Sequence, residues 1–244
     1  MGVWLLMGLT AETCTAATSI FDGRSFAGWE GNTNSVWRIV NGAITAGSFD
    51  RVEPRNEFLA TVRQYTNFQL RVRFKIQGTE ALNAGVQFRT QRIPNHHEVS
   101  GYQADIGTGV DGHLYDESRS NRMLASPSKS AVERALRSTS AEGWHEYRIS
   151  AINQRILIWL NGVQMIEFNE PDPAIPRSGI IALQIHGGMK GTIAYKDIEI
   201  EEFPSEPAAA RIGPVAELSA PKSVFPSRRF TLETGDVLIG FSFF

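Results

Sequence analysis

Apolar and polar residues alternate along much of the chain, most regularly in residues 68–76, FQLRVRFKI, where the even-numbered positions are apolar. Strict alternation predicts a β-strand with one buried face. Similar runs predict further strands at residues 85–90, 101–106, 112–115, 145–151, 156–160, 164–168, 179–186 and 191–201. Because these short runs are separated by Gly, Asn and Pro, the chain is expected to fold as an all-β, lectin-like sandwich of two antiparallel sheets.

Two local signals add a hairpin and a helix to this pattern. Asn161 and Gly162 lie between two predicted strands, and an Asn-Gly pair adopts the positive φ angles of a tight turn, so residues 156–168 are predicted to form a β-hairpin. Ser128 is followed by apolar residues at helical spacing up to Leu136. This pattern predicts a short helix over residues 128–136, with Ser128 as its N-cap.

The ends of the chain differ from the alternating middle. Residues 1–19 contain an apolar run and then small residues, which predicts a leader cleaved near Ala16 or Ala17 and a secreted or periplasmic protein. Residues 20–203 are expected to form the main domain. Residues 204–244 are rich in Pro, Ala and Ser and end in an apolar run. They are interpreted as a linker followed either by an added edge strand or by the truncated start of another domain.

Charge and composition exclude some classes of partner and of covalent link. The chain has 24 basic and 26 acidic residues among 244 and a net charge of -2, so we expect no nucleic-acid partner. After the leader, no segment is apolar over the length that spans a bilayer, so no membrane span is expected. The single cysteine, Cys14, allows no disulfide within the chain.

Strand alternation also indicates which polar residues face away from the core. Neighbouring apolar positions assign Arg89, Gln103, Asp105, Gln184 and His186 to the non-core faces of three strands. Such residues are often simply solvated. However, Gln184 and His186 lie in an otherwise apolar strand bounded by glycines, where a ligand can approach the backbone closely.

Other polar and aromatic residues are weaker candidates. Tyr115 and Glu117 lie where a predicted strand enters a polar loop. Glu117 and the adjacent Asp116 are expected to diverge, so only one of them would line the groove and the other could orient Arg119 or Arg122. Trp159 offers a ring on which a sugar could stack, although a strand tryptophan is more often part of the core. His96 and His97 are interpreted as loop residues, because adjacent histidines on extended chain point apart and no third metal ligand is evident.

An ordered set of motifs resembles the 3-keto-disaccharide hydrolase domain family. The matching segments are residues 20–29, IFDGRSFAGW; 37–44, WRIVNGAI; 84–89, AGVQFR; 101–106, GYQADI; 114–117, LYDE; 143–147, GWHEY; 158–162, IWLNG; and 181–187, IALQIHG. The resemblance covers residues 20–203. It implies a concanavalin A-like jelly roll whose polar strand faces line one groove, in a secreted bacterial protein that handles sugars.

The resemblance also implies a reaction on a saccharide or glycoside whose C3 hydroxyl has been oxidised to a ketone, for example by a sugar 3-dehydrogenase acting upstream. A base removes the C2 proton and the C1 substituent leaves. His186 or Asp105 is the expected base, and Arg89 is expected to stabilise the enolate. A divalent cation that replaces or assists Arg89 is left open. Substrate binding is expected from Gln103, Gln184, Tyr115, Glu117 and Trp159.

Two alternative functions remain open at this point. A non-catalytic carbohydrate-binding or cell-surface module would use the same fold and polar face without a base. A glycosidase with paired carboxylates is less favoured, because the strands offer no clear second acid opposite Asp105.

Overall fold

The computed structural model describes residues 16–205. The expectations for the leader before residue 16 and for residues 206–244 lie outside the described residues. Within the described part, the elements are β1 (Thr18–Ser19), β2 (Trp29–Glu30), β3 (Arg38–Val40), β4 (Ala43–Ser48), β5 (Glu57–Thr61), β6 (Phe68–Glu80), β7 (Asn83–Arg92), β8 (Val99–Gly107), β9 (Leu114–Glu117), β10 (Arg122–Ala125), α1 (Lys129–Arg137), β11 (His145–Ile152), β12 (Arg155–Leu160), β13 (Val163–Asn169), β14 (Ile180–Ile185) and β15 (Lys190–Glu202).

The strands form two antiparallel sheets. In the eight-stranded sheet, named sheet A, the order is β13-β12-β11-β6-β15-β4-β3, and β1 also pairs with β15. In the seven-stranded sheet, named sheet B, the order is β10-β9-β8-β7-β14-β5-β2. Neighbours in each sheet are often far apart in sequence, as in a jelly roll. The predicted all-β sandwich is confirmed.

The core lies between the two sheets and follows the alternation seen in the sequence. On β6, Phe68, Leu70, Val72 and Phe74 are at most 1% exposed. They belong to the same buried cluster as the core-facing apolar residues of β7, β8 and β14 in sheet B. The face of sheet B turned away from this cluster is named here the outer face.

The two local predictions are also confirmed. Asn161 and Gly162 have φ angles of 48° and 80° and connect β12 to β13, with Leu160 paired to Val163. Ser128 caps α1 by accepting a hydrogen bond from the Ala131 amide at 3.2 Å. Within residues 16–205, no helix combines the length and apolar character needed to cross a membrane.

Candidate functional site

Polar side chains form rows across the outer face of sheet B, because the pairing of its strands brings them level. Gly85 of β7 pairs with Asp105 on one side and with Gln184 on the other. One step along, Gln103 of β8 pairs with Gln87 of β7 and with Tyr115 of β9. Strands far apart in sequence thus contribute to one cluster.

A directed chain of hydrogen bonds ends on Asp105. The Thr90 hydroxyl donates to Gln87 Oε1 at 3.3 Å, the Gln87 amide donates to Gln103 Oε1, and the Gln103 amide donates to Asp105 Oδ1 at 2.7 Å. Because every donor in this chain points toward the carboxyl group, the chain favours a negative charge on Asp105.

Gly85 provides the space that this chain of hydrogen bonds needs. A Cβ atom at Gly85 would lie 2.4 Å from Gln103 Cδ and 2.6 Å from its Cγ and Oε1. The Gln103 side chain therefore lies directly over the glycine, and it is only 3% exposed. A larger residue at position 85 would push Gln103 away from Asp105.

A second hydrogen bond between an amide and a carboxyl group joins β14 and β9, the two outermost strands of the cluster. Gln184 Nε2 donates to Glu117 Oε2 at 3.1 Å, although β7 and β8 lie between their strands. This contact requires sheet B to curve toward its outer face, which is therefore concave. The Oε1 atom of Gln184 is buried and has no hydrogen-bond partner among the described residues, which is unusual for a buried amide.

Both carboxyl groups of the cluster have raised pKa values. Asp105 is 5% exposed and Glu117 is 8% exposed. Burial raises the pKa of Asp105 to about 7, with the Gln103 hydrogen bond opposing the rise and the Glu117 charge adding to it. Burial also raises the pKa of Glu117 to about 7, with the Glu98 charge adding to the rise. Two carboxyl groups that titrate near neutral pH on one face are well suited to move protons.

His113 is a member of this site that the sequence reasoning did not select. Asp105 N donates to His113 O at 3.0 Å while Gly112 N donates to Asp105 O at 3.1 Å, so two residues oppose one in a β-bulge. Gly112 has a φ angle of 78°. Alternation with Tyr115 then places the His113 side chain on the outer face, level with Asp105. The sequence signal for it was the Gly-His pair at the start of the predicted strand at residues 112–115.

Burial lowers the pKa of the His113 imidazole, which favours its neutral form. Its Nδ1 atom is buried and has no hydrogen-bond partner among the described residues. A neutral imidazole with an unused nitrogen beside Asp105 can donate to, or accept from, a bound oxygen.

The loop before β8 packs over part of the outer face. Glu98 accepts a hydrogen bond from Asn56 Nδ2 at 3.3 Å and lies 3.5 Å from the Ser118 hydroxyl. A small apolar cluster lies on the same face and comprises Phe58, Ala60, Val99, Ile180 and Ala182. Gln87 and Gln184 are fully buried, whereas Tyr115 and His113 are partly exposed. Access to the carboxyl groups is therefore greatest from the β8 and β9 side.

Asp116 and Glu117 diverge, as the sequence predicted for adjacent strand residues. Glu117 lies in the outer-face cluster, while Asp116 forms an ion pair with Arg119 at 2.7 Å. The Arg119 guanidinium lies 4.4 Å from the centre of the Tyr102 ring, a residue of the main core. Glu117 thus joins the site and Asp116 orients an arginine.

The predicted placement of Arg89 on the outer face is wrong. Arg89 has a φ angle of 48°, and the pairing of β7 with β8 shifts register between Phe88 and Gln91. This bulge reverses the expected alternation. The guanidinium instead donates to the carbonyl oxygens of Thr66, Ala151 and Asn153 at 2.6 to 2.9 Å.

Arg89 therefore links sheet B to β11 and to the turn after it. Burial lowers its pKa to about 10, so it stays charged at neutral pH. Its charge satisfies backbone carbonyls, and the structure does not bring it to Asp105.

His186 lies on sheet B immediately after β14, at one end of the outer face. Its backbone N donates to Asn83 O at 3.2 Å, and its Nδ1 lies 2.6 Å from Gly187 O. By alternation it shares a face with Gln184. His186 lines a separate cleft beyond the polar rows, so it borders the site without contacting Asp105 or Glu117 through any hydrogen bond.

Trp159 lies on the other sheet, so it does not share a surface with the predicted groove. It belongs to β12 of sheet A, and the Arg148 guanidinium covers its ring at 3.9 Å from the centroid. The sequence could not assign β12 to either sheet, because alternation does not specify the partner strand.

The loop histidines do not assemble a metal centre with the acids. His96 and His97 stack on each other with ring centroids 4.5 Å apart, and His97 Nε2 lies 3.6 Å from Glu98. Among residues 16–205, no group of three or more His, Cys, Asp or Glu side chains is arranged to hold a metal ion.

Family comparison supports the likeness seen in the motifs. A model of the 3-keto-alpha-glucoside-1,2-lyase-like domain matches residues 16–201. The chain belongs to this family. A search of curated proteins found no significant match.

Several solved structures show the same fold. A candidate glycosyl hydrolase from Parabacteroides distasonis is 18% identical, with a TM-score of 0.55 over 77% of this chain and 94% of that one. The carbohydrate-binding module CBM66 from Bacillus subtilis is 14% identical, with a TM-score of 0.54 over 72% and 96%. SCLam, an endo-beta-1,3(4)-glucanase of family GH16, is 9% identical, with a TM-score of 0.51 over 80% and 92%. At these identities the likeness establishes the fold alone, a concanavalin A-like sandwich.

Proposed function

We propose that the protein cleaves 3-keto-glycosides by removing the C2 proton and eliminating the substituent at C1. The observation that carries this proposal is the pair of buried carboxyl groups, Asp105 and Glu117, whose pKa values lie near 7 on one concave sheet face. Membership of the 3-keto-alpha-glucoside-1,2-lyase-like family supports this substrate class.

The chemistry assigns distinct tasks to the residues of the cluster. A ketone at C3 makes the C2 proton acidic, so a carboxylate of pKa about 7 can remove it. The electrons of the C2–H bond form an enolate with its charge on the C3 oxygen. When the enolate collapses, the C1–O bond breaks, a C1=C2 double bond forms, and the leaving oxygen takes a proton. Water is added to the double bond afterwards.

Asp105 is the proposed base, because its hydrogen-bond chain favours the charged form. His113 is the proposed donor to the C3 oxygen, since it lies level with Asp105 and is neutral through burial. It takes the role for which the sequence nominated Arg89. Glu117, in its protonated form, is the proposed source of the proton for the leaving oxygen.

An assay with a 4-nitrophenyl 3-keto-glucoside tests the proposal directly. Release of nitrophenol by the wild-type protein is expected, with kcat/KM passing through a maximum near pH 7: it rises as Asp105 becomes charged and falls as Glu117 loses its proton. Asp105→Asn and His113→Ala should each reduce kcat by about 10²- to 10⁴-fold. The matched control Asp50→Asn changes an exposed aspartate that is not part of the cluster and should retain full activity.

The same assay distinguishes the two alternatives. A non-catalytic binding module would retain sugars on an affinity column but never consume the 3-keto-glucoside, and that pair of results would reject the enzyme. A glycosidase with paired carboxylates would cleave the unoxidised 4-nitrophenyl glucoside as readily as its 3-keto form. This alternative gains weight from Glu117, because it is a second acid on the outer face besides Asp105.

A further inference from the structure

A tyrosine of sheet A reaches through the core to the bulge beneath the proposed base. Tyr147 lies on β11, and its side chain is fully buried in the main core. Its ring lies 4.9 Å from the ring of Phe74. The hydroxyl group accepts a hydrogen bond from Gly112 N at 2.7 Å and donates one to Asp105 O. This side chain therefore connects β11 to sheet B at the point where β8 meets the segment before β9.

The Tyr147 hydroxyl matches the bulge and not the apolar core around it. Burial raises the pKa of Tyr147 well above the ordinary value of a tyrosine, so the hydroxyl keeps its proton at neutral pH and can donate it. A hydroxyl group without partners would be unfavourable in an apolar cluster, where a phenylalanine ring would fill the same space. Both hydrogen bonds of this hydroxyl go to backbone atoms of the bulge.

The backbone groups of the bulge would have partners even without the hydroxyl. Gly112 N also donates to Asp105 O at 3.1 Å, and Asp105 N donates to His113 O at 3.0 Å. The hydroxyl is therefore not required to satisfy a buried donor or acceptor. What it adds is a third contact, made from the opposite sheet, that fixes β8 and the bulged segment relative to each other.

The bulge sets the spacing of two side chains on the outer face. The backbone N and O atoms of Asp105 both bond to the segment formed by Gly112 and His113, so a shift of this segment moves the imidazole relative to the carboxyl group. A displacement of about 1 Å between reacting groups can lower a rate by about 10²-fold. A contact to this backbone can therefore affect the reaction from the core side of the sheet.

We propose that Tyr147 is a positioning residue of the candidate site and that its hydroxyl group fixes the spacing between Asp105 and His113. This role depends on the proposed elimination, because Asp105 is its base and His113 its donor to the C3 oxygen. Tyr147 is fully buried between the sheets, so it does not touch the substrate. It acts on the proton-transfer step and leaves substrate binding nearly unchanged.

Tyr147→Phe tests this role, because it removes the hydroxyl group and keeps the ring. With the 4-nitrophenyl 3-keto-glucoside as substrate, kcat should fall at least about tenfold, while KM should stay within about threefold of the wild-type value. The melting temperature should fall by only a few degrees, since the backbone groups of the bulge keep their other hydrogen bonds.

Tyr102→Phe is the matched control. Tyr102 is 1% exposed, belongs to the same core cluster and lies on β8, the strand that carries Asp105. Its hydroxyl group donates to Glu170 Oε2 and does not bond to the backbone of the bulge. The control therefore loses a tyrosine hydroxyl from the same core, and it should keep kcat within about twofold of the wild type.

The outcomes separate the positioning role from the reaction. If the wild-type protein turns over the substrate and Tyr147→Phe loses no more kcat than Tyr102→Phe, Tyr147 is not a positioning residue and the proposed function stands. A loss that is confined to KM would overturn the role in the same way. A melting temperature lowered by more than about 10 °C would show that the hydroxyl supports the whole fold and would reject a specific role at the site. If the wild-type protein never consumes the 3-keto-glucoside, the proposed function fails and the positioning role falls with it.

Discussion

Replacing Gly85 with alanine should disturb the candidate site through a single side chain. The new methyl group would lie 2.4 to 2.6 Å from the Cδ, Cγ and Oε1 atoms of Gln103, far inside van der Waals contact. Gln103 is 3% exposed, so it cannot move freely into solvent. Overpacking of this kind costs about 1–3 kcal/mol of the free energy of unfolding.

A double-mutant cycle isolates this contact. In a Gln103→Ala background the three nearest atoms are gone, so Gly85→Ala should cost little there or stabilise slightly by restricting the unfolded chain. The coupling free energy between the two positions should therefore be about 1–3 kcal/mol. Urea unfolding of the four proteins measures it, provided that the m values agree.

The cycle also has a functional readout. Displacing Gln103 removes the hydrogen bond that lowers the pKa of Asp105, so the rise of kcat/KM with pH should move to higher pH in Gly85→Ala. A coupling energy near zero would mean that Gln103 does not lie over Gly85, and the proposed chain to Asp105 would be refuted.

Three further predictions concern the buried carboxyl groups, the buried Arg89 guanidinium and the position of Trp159 on sheet A. Burial raises the pKa values of Asp105 and Glu117 to about 7, so the folded state binds more protons than the unfolded chain between pH about 4 and 7. The free energy of unfolding should therefore fall by a few kcal/mol as the pH rises through this window. Denaturant melts of Asp105→Asn and Glu117→Gln should each show a shallower fall. Arg89→Lys should lower the free energy of unfolding by about 2–4 kcal/mol, because a lysine cannot reach all the carbonyls that the guanidinium contacts. The matched control Arg155→Lys, in an exposed ion pair, should cost under about 1 kcal/mol. Equal losses in urea melts would contradict a structural role for the buried Arg89 guanidinium. Trp159→Ala should leave kcat/KM unchanged within twofold, since the ring lies on sheet A beneath Arg148; a tenfold loss would place substrate on the other sheet.

Alternation in the sequence predicted the strands that have one buried face, such as β6 and β12. It gave no signal for β5, because the outward-facing Phe58 and Ala60 are as apolar as the core-facing Leu59 between them. A strand whose residues are apolar on both faces shows no alternation. On β5, Leu59 lies in the main core while Phe58 and Ala60 lie in the small outer-face cluster.

For the candidate site, alternation correctly placed Gln103, Asp105 and Gln184 on the face of sheet B away from the core, because each lies in a regular stretch of strand. It failed at Arg89, because a bulge lies there. A bulge inserts one extra residue, so a face assigned by simple alternation across it is the opposite of the real one. Likewise, the bulge at Gly112 places His113 opposite Asp105.

The sequence by itself determined most of the strands after residue 67, the hairpin at Asn161 and the capped helix, because each depends on local residue order, and its ordered motifs indicated the family. Only the tertiary structure decided that Glu117 meets Gln184, that Arg89 joins the two sheets and that Trp159 lies apart from the site. These outcomes depend on strand order and sheet curvature, which bring together residues up to 67 positions apart and which no local pattern encodes.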